Sequence, residues 1–260
     1  MSHASRRSVA LAVAWRTLHN VFTTPAILLP SLIFPLVFFT AFAGGLSQVA
    51  KLPGFHFPAG YTAFQFVFAL LQSAAFGGVF TGFSIARDFE TGFLNRLSLT
   101  PLRSSALIAG HLAGVVVFGF LQSDFYLVVG VALGVDIQAG VGGAFVLLLL
   151  ATVIAAGFGA LGAWLALEAG SGEAVQGMFP LLFVAFFLSS MNTPRNLIQL
   201  DWFRAIATAN PVSYLIECVR SLIITCWDGE ALALGFGIAL VISIVAFALA
   251  SHALKERMAR

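Results

Sequence analysis

Six stretches of the chain contain no Asp, Glu, Lys or Arg: residues 17–50, 52–86, 104–123, 137–167, 174–194 and 231–254. A helix crossing the hydrocarbon core of a bilayer needs about 20 apolar residues, and every one of these runs is long enough. The expected fold is an all-α integral membrane protein, a single domain over residues 1–260. Its six spans are expected near 26–46, 60–84, 105–133, 141–167, 174–191 and 231–252. Composition points the same way. The chain is 60% hydrophobic and 9% charged, whereas a soluble domain carries about 25% charged residues. Spans this closely spaced leave no room for a soluble domain.

Lysines and arginines orient such a bundle, because they accumulate in cytoplasmic loops. Arg6, Arg7 and Arg16, then Arg87, Arg96 and Arg103, then Lys255, Arg257 and Arg260 fall on one side of a six-span arrangement. The other side receives Lys51, Arg195, Arg204 and Arg220. Both termini are therefore expected in the cytoplasm, in a multi-pass plasma-membrane protein with lipid as its surroundings. Ala41-Phe42-Ala43 resembles a signal cleavage site, but the apolar run is too long for a signal core. Residues 8–23 read as a helix lying on the membrane, with Leu11, Ala14, Trp15, Leu18 and Phe22 on one stripe and Arg16, His19 and Asn20 off it. Thr24-Pro25 then starts the first span, which Pro30 and Pro35 should kink.

The few polar residues inside the oil carry the functional signal. Ala74, Gly78 and Gly82, and again Ala155, Gly159 and Ala163, recur every four residues. Small residues at that spacing let helix backbones approach in a bilayer, within one chain or between two. Gln122, Ser123 and Asp124 interrupt the third span. A carboxylate at bilayer depth costs on the order of 2.5–3.5 kcal/mol and faces protein or a water-filled path. Asp124, with Gln122, is thus a candidate gate, unless it sits shallowly near the outer headgroups with the helix broken around Gly130 and Gly134.

Residues 192–229 are too polar to cross and too apolar to form a free loop. Asn210-Pro211 is a helix start, and Val212, Leu215, Ile216, Val219, Leu222 and Ile223 form a helical stripe. Glu217 and Arg220, three apart, are positioned to pair. This segment is expected to be an outer re-entrant helical hairpin, tolerated where protein buries it. Cys218 and Cys226 would lie about 12 Å apart on one helix, too far to bridge, so both are expected as thiols. The five histidines show no metal-ligand spacing, and no catalytic constellation converges. A small polytopic membrane enzyme would need such a cluster of ionisable groups.

The densest polar stretch is residues 87–103, which hold Arg87, Asp88, Glu90, Arg96 and Arg103. Residues 87–99 read as a short amphipathic helix. Phe89, Phe93 and Leu97 are spaced by four with Leu94 beside them, and Thr100-Pro101 ends the run. One reading is an ordinary positive-inside loop. The other is a docking element, since a loop needing only charge would not carry two phenylalanines on one face. A passive channel or scaffold would have no use for it.

Asp88, Glu90, Gly92, Phe93-Leu94, Arg96-Leu97 and Thr100-Pro101 resemble the first cytoplasmic loop of ABC-2 type exporter permeases, particularly their daunorubicin-resistance branch. Gly110-His111 falls where that family usually shows Gly-Lys. Ser171 with Glu173 to Gln176 resembles its loop before the fifth span. Leu188-Ser189-Ser190, Thr193-Pro194, Trp202, and Asn210-Pro211 with Glu217 and Arg220 resemble its outer hairpin. Departures are Phe89 for a basic residue, Asn95 for an acidic one and His111 for lysine.

The resemblance implies a permease subunit of an ATP-driven exporter of amphipathic or lipid-like molecules, drugs, lipids or glycolipids. Polysaccharide or glycolipid export by the same family is the alternative. It implies a second permease, identical or related, and two copies of an ATP-binding subunit that hold ATP and Mg. The latter would contact the loop from Arg87 to Arg103, making residues 87–99 a coupling helix. The chain itself has no GxxxxGK[ST] phosphate loop, since its only lysines are Lys51 and Lys255; no cofactor and no nucleic acid are expected on it. The substrate route is implied at the interface of the two permeases. Phe64, Phe68, Phe76, Phe80 and Phe83 of the second span, with Phe179, Phe183, Phe186 and Phe187 of the fifth, are candidates to line it, or to face lipid or pack helices.

Overall fold

The computed structural model describes residues 6–45, 60–92 and 104–259. Every regular element among them is helical. In chain order these are α1 (Arg6–Thr23), α2 (Pro25–Gly45), α3 (Gly60–Glu90), α4 (Ser104–Ala132) and α5 (Gly140–Ala169). There follow α6 (Gly172–Gln176), α7 (Met178–Phe187), α8 (Asp201–Ala209), α9 (Pro211–Arg220) and α10 (Gly229–Ala259). A 3-10 turn covers Arg195–Leu197 and a π turn covers Ser221–Thr225.

Five helices, α2, α3, α4, α5 and α10, are long and apolar enough to cross a membrane. The expected fifth of six spans, residues 174–191, is instead two helices, α6 and α7, joined at Gly177 and ending at Phe187. Pro180 explains the break. It has no N–H for the Gln176 carbonyl, and its ring crowds that carbonyl, so the first helix stops at Gln176.

The outside of the bundle confirms its solvent. Leu29, Ile33, Phe34 and Val37 of α2, and Leu240, Val241, Ile244 and Val245 of α10, are all exposed. Such continuous apolar faces are a liability in water and the normal surface in lipid.

α3 is the central helix: 94% of its apolar window is buried, against 17% for α2 and 22% for α10. Its most extensive neighbour is α5, and the two small-residue faces meet there. A Cβ added at Gly78 would lie 2.3 Å from the Ala155 carbonyl oxygen, and one at Gly82 would lie 2.8 Å from the Gly162 carbonyl carbon. The Ala74–Gly78–Gly82 face is therefore used within the chain. A second close approach seats α1 on α4, where a Cβ at Gly110 would meet Val13 and Ala10, and one at Gly114 would meet Thr17.

α2 remains helical through Pro30 and Pro35. Pro35 cannot donate to the Ser31 carbonyl four residues earlier, and Gln122 Nε2 of α4 donates to that oxygen at 2.9 Å. One turn further along α4, the Tyr126 hydroxyl donates to the Leu32 carbonyl. α4 itself is not broken at Gly130. It ends at Ala132, and the left-handed backbone of Gly134 (φ +85°) just beyond lets Val135 N–H close on the Gly130 carbonyl at 2.9 Å.

The amphipathic helix expected over residues 87–99 is not a separate element at its start. α3 continues without interruption through Arg87, Asp88 and Glu90, because no residue from 84 to 90 is a glycine or proline. Gly92, at φ +68°, follows its end. Phe93, Leu94, Arg96, Leu97, Thr100 and Pro101 lie outside the described residues.

Three substitutions test this architecture. Gly78→Leu should destabilise the purified protein by on the order of 1–3 kcal/mol or more through overpacking, read as a lower Tm in detergent. Gly237→Leu, at a helical glycine with nothing near its Cβ position, should leave Tm unchanged. Gln122→Leu strips the Ser31 carbonyl of its donor and should lower stability by about 1–2 kcal/mol.

Candidate functional site

The sequence-derived candidates fall into three places. The first is the end of the bundle where α1 meets the last turns of α3. Asp88 is almost fully buried. Arg16 of α1 reaches it in a two-point contact, Nη2 to Oδ1 at 2.6 Å and Nε to Oδ2 at 3.4 Å. A buried carboxylate needs such a partner, since an uncompensated charge in the protein interior is strongly unfavourable. Arg87 Nη1 donates to Thr24 Oγ1 at 3.3 Å, across to the junction of α1 and α2. His111 of α4 is buried with Nδ1 3.1 Å from Thr17 Oγ1, and Thr17 in turn donates to the Val13 carbonyl. A ring protonated at Nδ1 donates to Thr17 in this arrangement. α1, α3 and α4 are thus tied by polar contacts as well as by glycine approaches. On the expected surface stripe, Ala14 turns inward and is buried, while Leu11, Trp15 and Phe22 are exposed.

The second place is an aromatic seam between α3 and α7. Phe76 meets Phe179 and Phe183 edge-on, with ring centroids 5.1 and 5.2 Å away. Phe80 lies 4.8 Å from Phe179, and Phe68 lies 5.3 Å from Phe186. Rings rather than close backbones join these two helices. Phe187 projects outward and is exposed. At the α1 end of the seam a cavity of about 530 Å³ is lined by Thr24, Ile27, Phe80, Phe83, Arg87 and Phe179. It is a small apolar slot with one cation at its rim.

Gln122 and Asp124 part company. Gln122 faces inward to α2, as described above. Asp124 is exposed on the outward side of α4, so within this chain it does not face a path through the bundle.

The third place is the segment after α7. A helix end leaves four carbonyls without partners, and this one is finished by α9. Asn210 caps α9 with Oδ1 accepting from Val212 N–H at 2.9 Å, and Pro211 follows it. Its Nδ2 donates to the Ala185 and Leu188 carbonyls at 2.6 and 3.1 Å. Arg220 Nη2 donates to the Ser190 and Met191 carbonyls at 2.8 and 3.2 Å.

The expected Glu217–Arg220 pair is not formed. Glu217 accepts from Arg195 Nε and Nη2 at 2.7 and 2.6 Å, and this contact holds the Arg195 guanidinium above its ordinary pKa. A bidentate fork from outside the helix beats an i,i+3 neighbour, and the open carbonyls at 190 and 191 claim Arg220. Cys218 is buried and Cys226 exposed, both as free thiols.

The Arg16–Asp88 and Arg195–Glu217 pairs were missed from sequence because their partners are 72 and 22 residues apart. Half of the Gln122–Ser31 bond was readable: Pro35 orphans one specific carbonyl, but Gln65, Gln72 and Gln122 are all side-chain amides on apolar spans, and spacing does not choose among them.

The profile of the ABC-2 type transporter family matches residues 9–224, from α1 to the π turn. The daunorubicin resistance ABC transporter permease DrrB1 of Streptomyces coeruleorubidus is 26% identical over 230 residues, covering 85% of this chain and 77% of that protein. The ycf38 transport permease of Porphyra purpurea is 23% identical over 260 residues, covering 95% of this chain and 89% of its own length. That of Cyanophora paradoxa is 27% identical over 202 residues, covering 76% and 68%.

The Arg16–Asp88 pair lies between the exposed and buried limits, about 1 and 3–5 kcal/mol for loss of one partner. Arg16→Ala and Asp88→Ala should each lower Tm, and the double variant should cost less than their sum. A thermal-melt double-mutant cycle reads this directly.

Proposed function

Because the chain belongs to the ABC-2 type transporter family, we propose that it is the membrane-spanning permease of an ATP-driven exporter whose ATP is hydrolysed elsewhere. In this reading two copies of a separate ATP-binding subunit hold ATP and Mg, and a second permease, identical or related, completes the complex. The membrane is the plasma membrane of a prokaryote, with both termini in the cytoplasm. α6 and α7 together act as the fifth of six spans, and α8–α9 as an outer hairpin that dips back toward the bilayer.

The observation that carries the proposal is the build of α3. It is one rod from Gly60 to Glu90, the most buried in the bundle, and it runs directly into the polar segment of residues 87–101. Arg87, Asp88, Glu90, Gly92, Phe93, Leu94, Arg96, Leu97, Thr100 and Pro101 are the proposed handle. A push on that handle moves α3, and the Arg16–Asp88 contact and the glycine approaches carry α1, α4 and α5 with it. Packed helices switch between discrete arrangements as rigid bodies. The α3–α7 seam is the natural place for relative motion, because rings bridge it and few backbone contacts lock it.

The substrate is an amphipathic or lipid-like molecule. The seam supports this, as does its slot of about 530 Å³ with Phe80, Phe83 and Phe179 on the walls and Arg87 at the rim. Ligand pockets of 300–1,000 Å³ suit drug-sized molecules, and a relative at 26% identity is named for drug resistance. Phe76, Phe80, Phe183 and Phe187 are the proposed lining of the path. Gln122 is assigned to α2 rather than to the substrate, and Asp124 faces the surroundings of this chain.

Transport and ATP hydrolysis measured together in vesicles holding the complete complex test the coupling role. Glu90→Ala and Phe93→Asp should retain ATPase activity while transport per ATP falls at least about 5-fold, the low end of usual coupling strengths. Unchanged transport per ATP in both variants refutes it.

A further inference from the structure

The hairpin contains a cavity that its packing role does not explain. About 700 Å³ lies between the Arg195–Leu197 turn, α8, α9 and the start of α10. Three guanidiniums line it, Arg195, Arg204 and Arg220, against two carboxylates, Glu217 and Asp228. Most of this charge is committed. Arg195 is forked onto Glu217, and Arg204 pairs with Asp201 on its own helix. Asp228 accepts from the Glu230 and Ala231 N–H groups at the start of α10.

Arg220 is different. It is 6% exposed and lies beneath the Phe64 ring, with its guanidinium carbon 4.7 Å from the ring centroid. Only Nη2 is used, on the two carbonyls after α7; Nε and Nη1 have no hydrogen-bond partner. A buried cation with two idle donors and no carboxylate in contact is costly. It is the kind of arrangement that an anionic ligand repairs.

The backbone adds an independent sign. Directly after Arg220 the chain leaves the α-helix for the π turn Ser221–Thr225, and both of those residues line the cavity. The turn ends at Cys226 with φ +71°, a left-handed conformation unusual for a residue other than glycine. π turns and strained backbone concentrate at functional sites.

Depth points to the ligand's source. Trp202, Trp227, Leu197 and Leu200 are exposed on this end of the molecule, and tryptophans gather where a membrane protein meets the headgroup layer.

We propose that this cavity binds a phosphate-bearing headgroup of a lipid, with Arg220 and Arg204 as its principal contacts. Guanidinium forks match phosphate oxygens in geometry and charge, and the lining carries one net positive charge. The site lies on the hairpin, away from the α3–α7 slot, so its occupancy is independent of the transport reading and is measured on this chain alone.

Thermal unfolding of the purified full chain in a neutral detergent provides the test, with three probes. Dioctanoyl phosphatidylglycerol carries tails and phosphate, dioctanoylglycerol carries the tails alone, and inorganic phosphate carries no tail. The phosphatidylglycerol is expected to raise Tm saturably and dioctanoylglycerol is not. Arg220→Gln should weaken the apparent affinity about tenfold, the loss of a charge-assisted contact. Arg204→Ala, half-exposed and tied to Asp201 on its own helix, should do likewise and serves if the Arg220 variant does not fold. Arg257→Ala at the far end of α10 should have no effect.

A saturable shift with inorganic phosphate at similar concentration, lost in the same variants, keeps the anion site and overturns the lipid as its source. Equal shifts with both dioctanoyl lipids, a shift undiminished in Arg204→Ala, or equal weakening by Arg257→Ala overturns the site itself.

Discussion

The closeness of α3 to α5 is the contact on which the rest of the bundle depends. In lipid, apolar helices gain nothing by hiding from solvent, so association rests on van der Waals contact and a few polar bonds. Glycine at 78 and 82, facing Ala155, Gly159 and Gly162, lets two backbones touch where side chains would hold them apart. With α3 seated there, α2, α4 and α9 pack around its remaining surface, and nearly every residue of its apolar stretch is buried. That makes α3 a stiff member in a molecule whose outer helices α2 and α10 are largely open to lipid.

The scarce polar side chains act as joints at places where the helical hydrogen-bond ladder fails. Pro35 frees the Ser31 carbonyl, and Gln122 takes it. The end of α7 frees several more, and Asn210 and Arg220 take them. The end of α5 presents the Glu168 carbonyl, and Arg257 from α10 takes it at 2.9 Å. Each bond links elements distant in sequence, and those to Ser31, Ser190 and Met191 answer the rule that a buried backbone group must be paired. The seam between α3 and α7 is built otherwise, from phenylalanine rings, whose contacts are less exacting and tolerate sliding. A rigid unit beside an adaptable seam is the mechanical arrangement a transporter uses.

The segment at residues 87–92 shows where sequence reading succeeds and where it stops. Charge marks where a chain is expected to leave the hydrocarbon layer, as at Arg87 and Asp88. Charge does not mark where a helix ends. Nothing between 84 and 90 opposes helix, so α3 carries its span straight through, and Gly92 with its left-handed backbone follows the end. The Glu217–Arg220 expectation failed for a related reason. Spacing of three permits a pair, but partners from Arg195 and from the carbonyls at 190 and 191 were invisible in a local window. Asp124 and Gln122 look alike as polar interruptions, yet two positions along a helix is about half a turn, and they face opposite ways.

The sequence by itself determined that this chain lives in a membrane as apolar helices, and which family it belongs to. Those properties are written in local composition and in ordered short motifs. It also showed that small residues line two helices at a spacing of four. Only the tertiary structure decided that these two faces meet each other within one chain. The same holds for Asp88 finding Arg16, for Gln122 repairing a proline's damage, and for Arg220 keeping two donors unused at the wall of a cavity. The physical reason is common to all four. Helix formation is satisfied within a few residues, whereas backbone contact, charge pairing and carbonyl capping depend on which distant element the fold brings within about 3 Å.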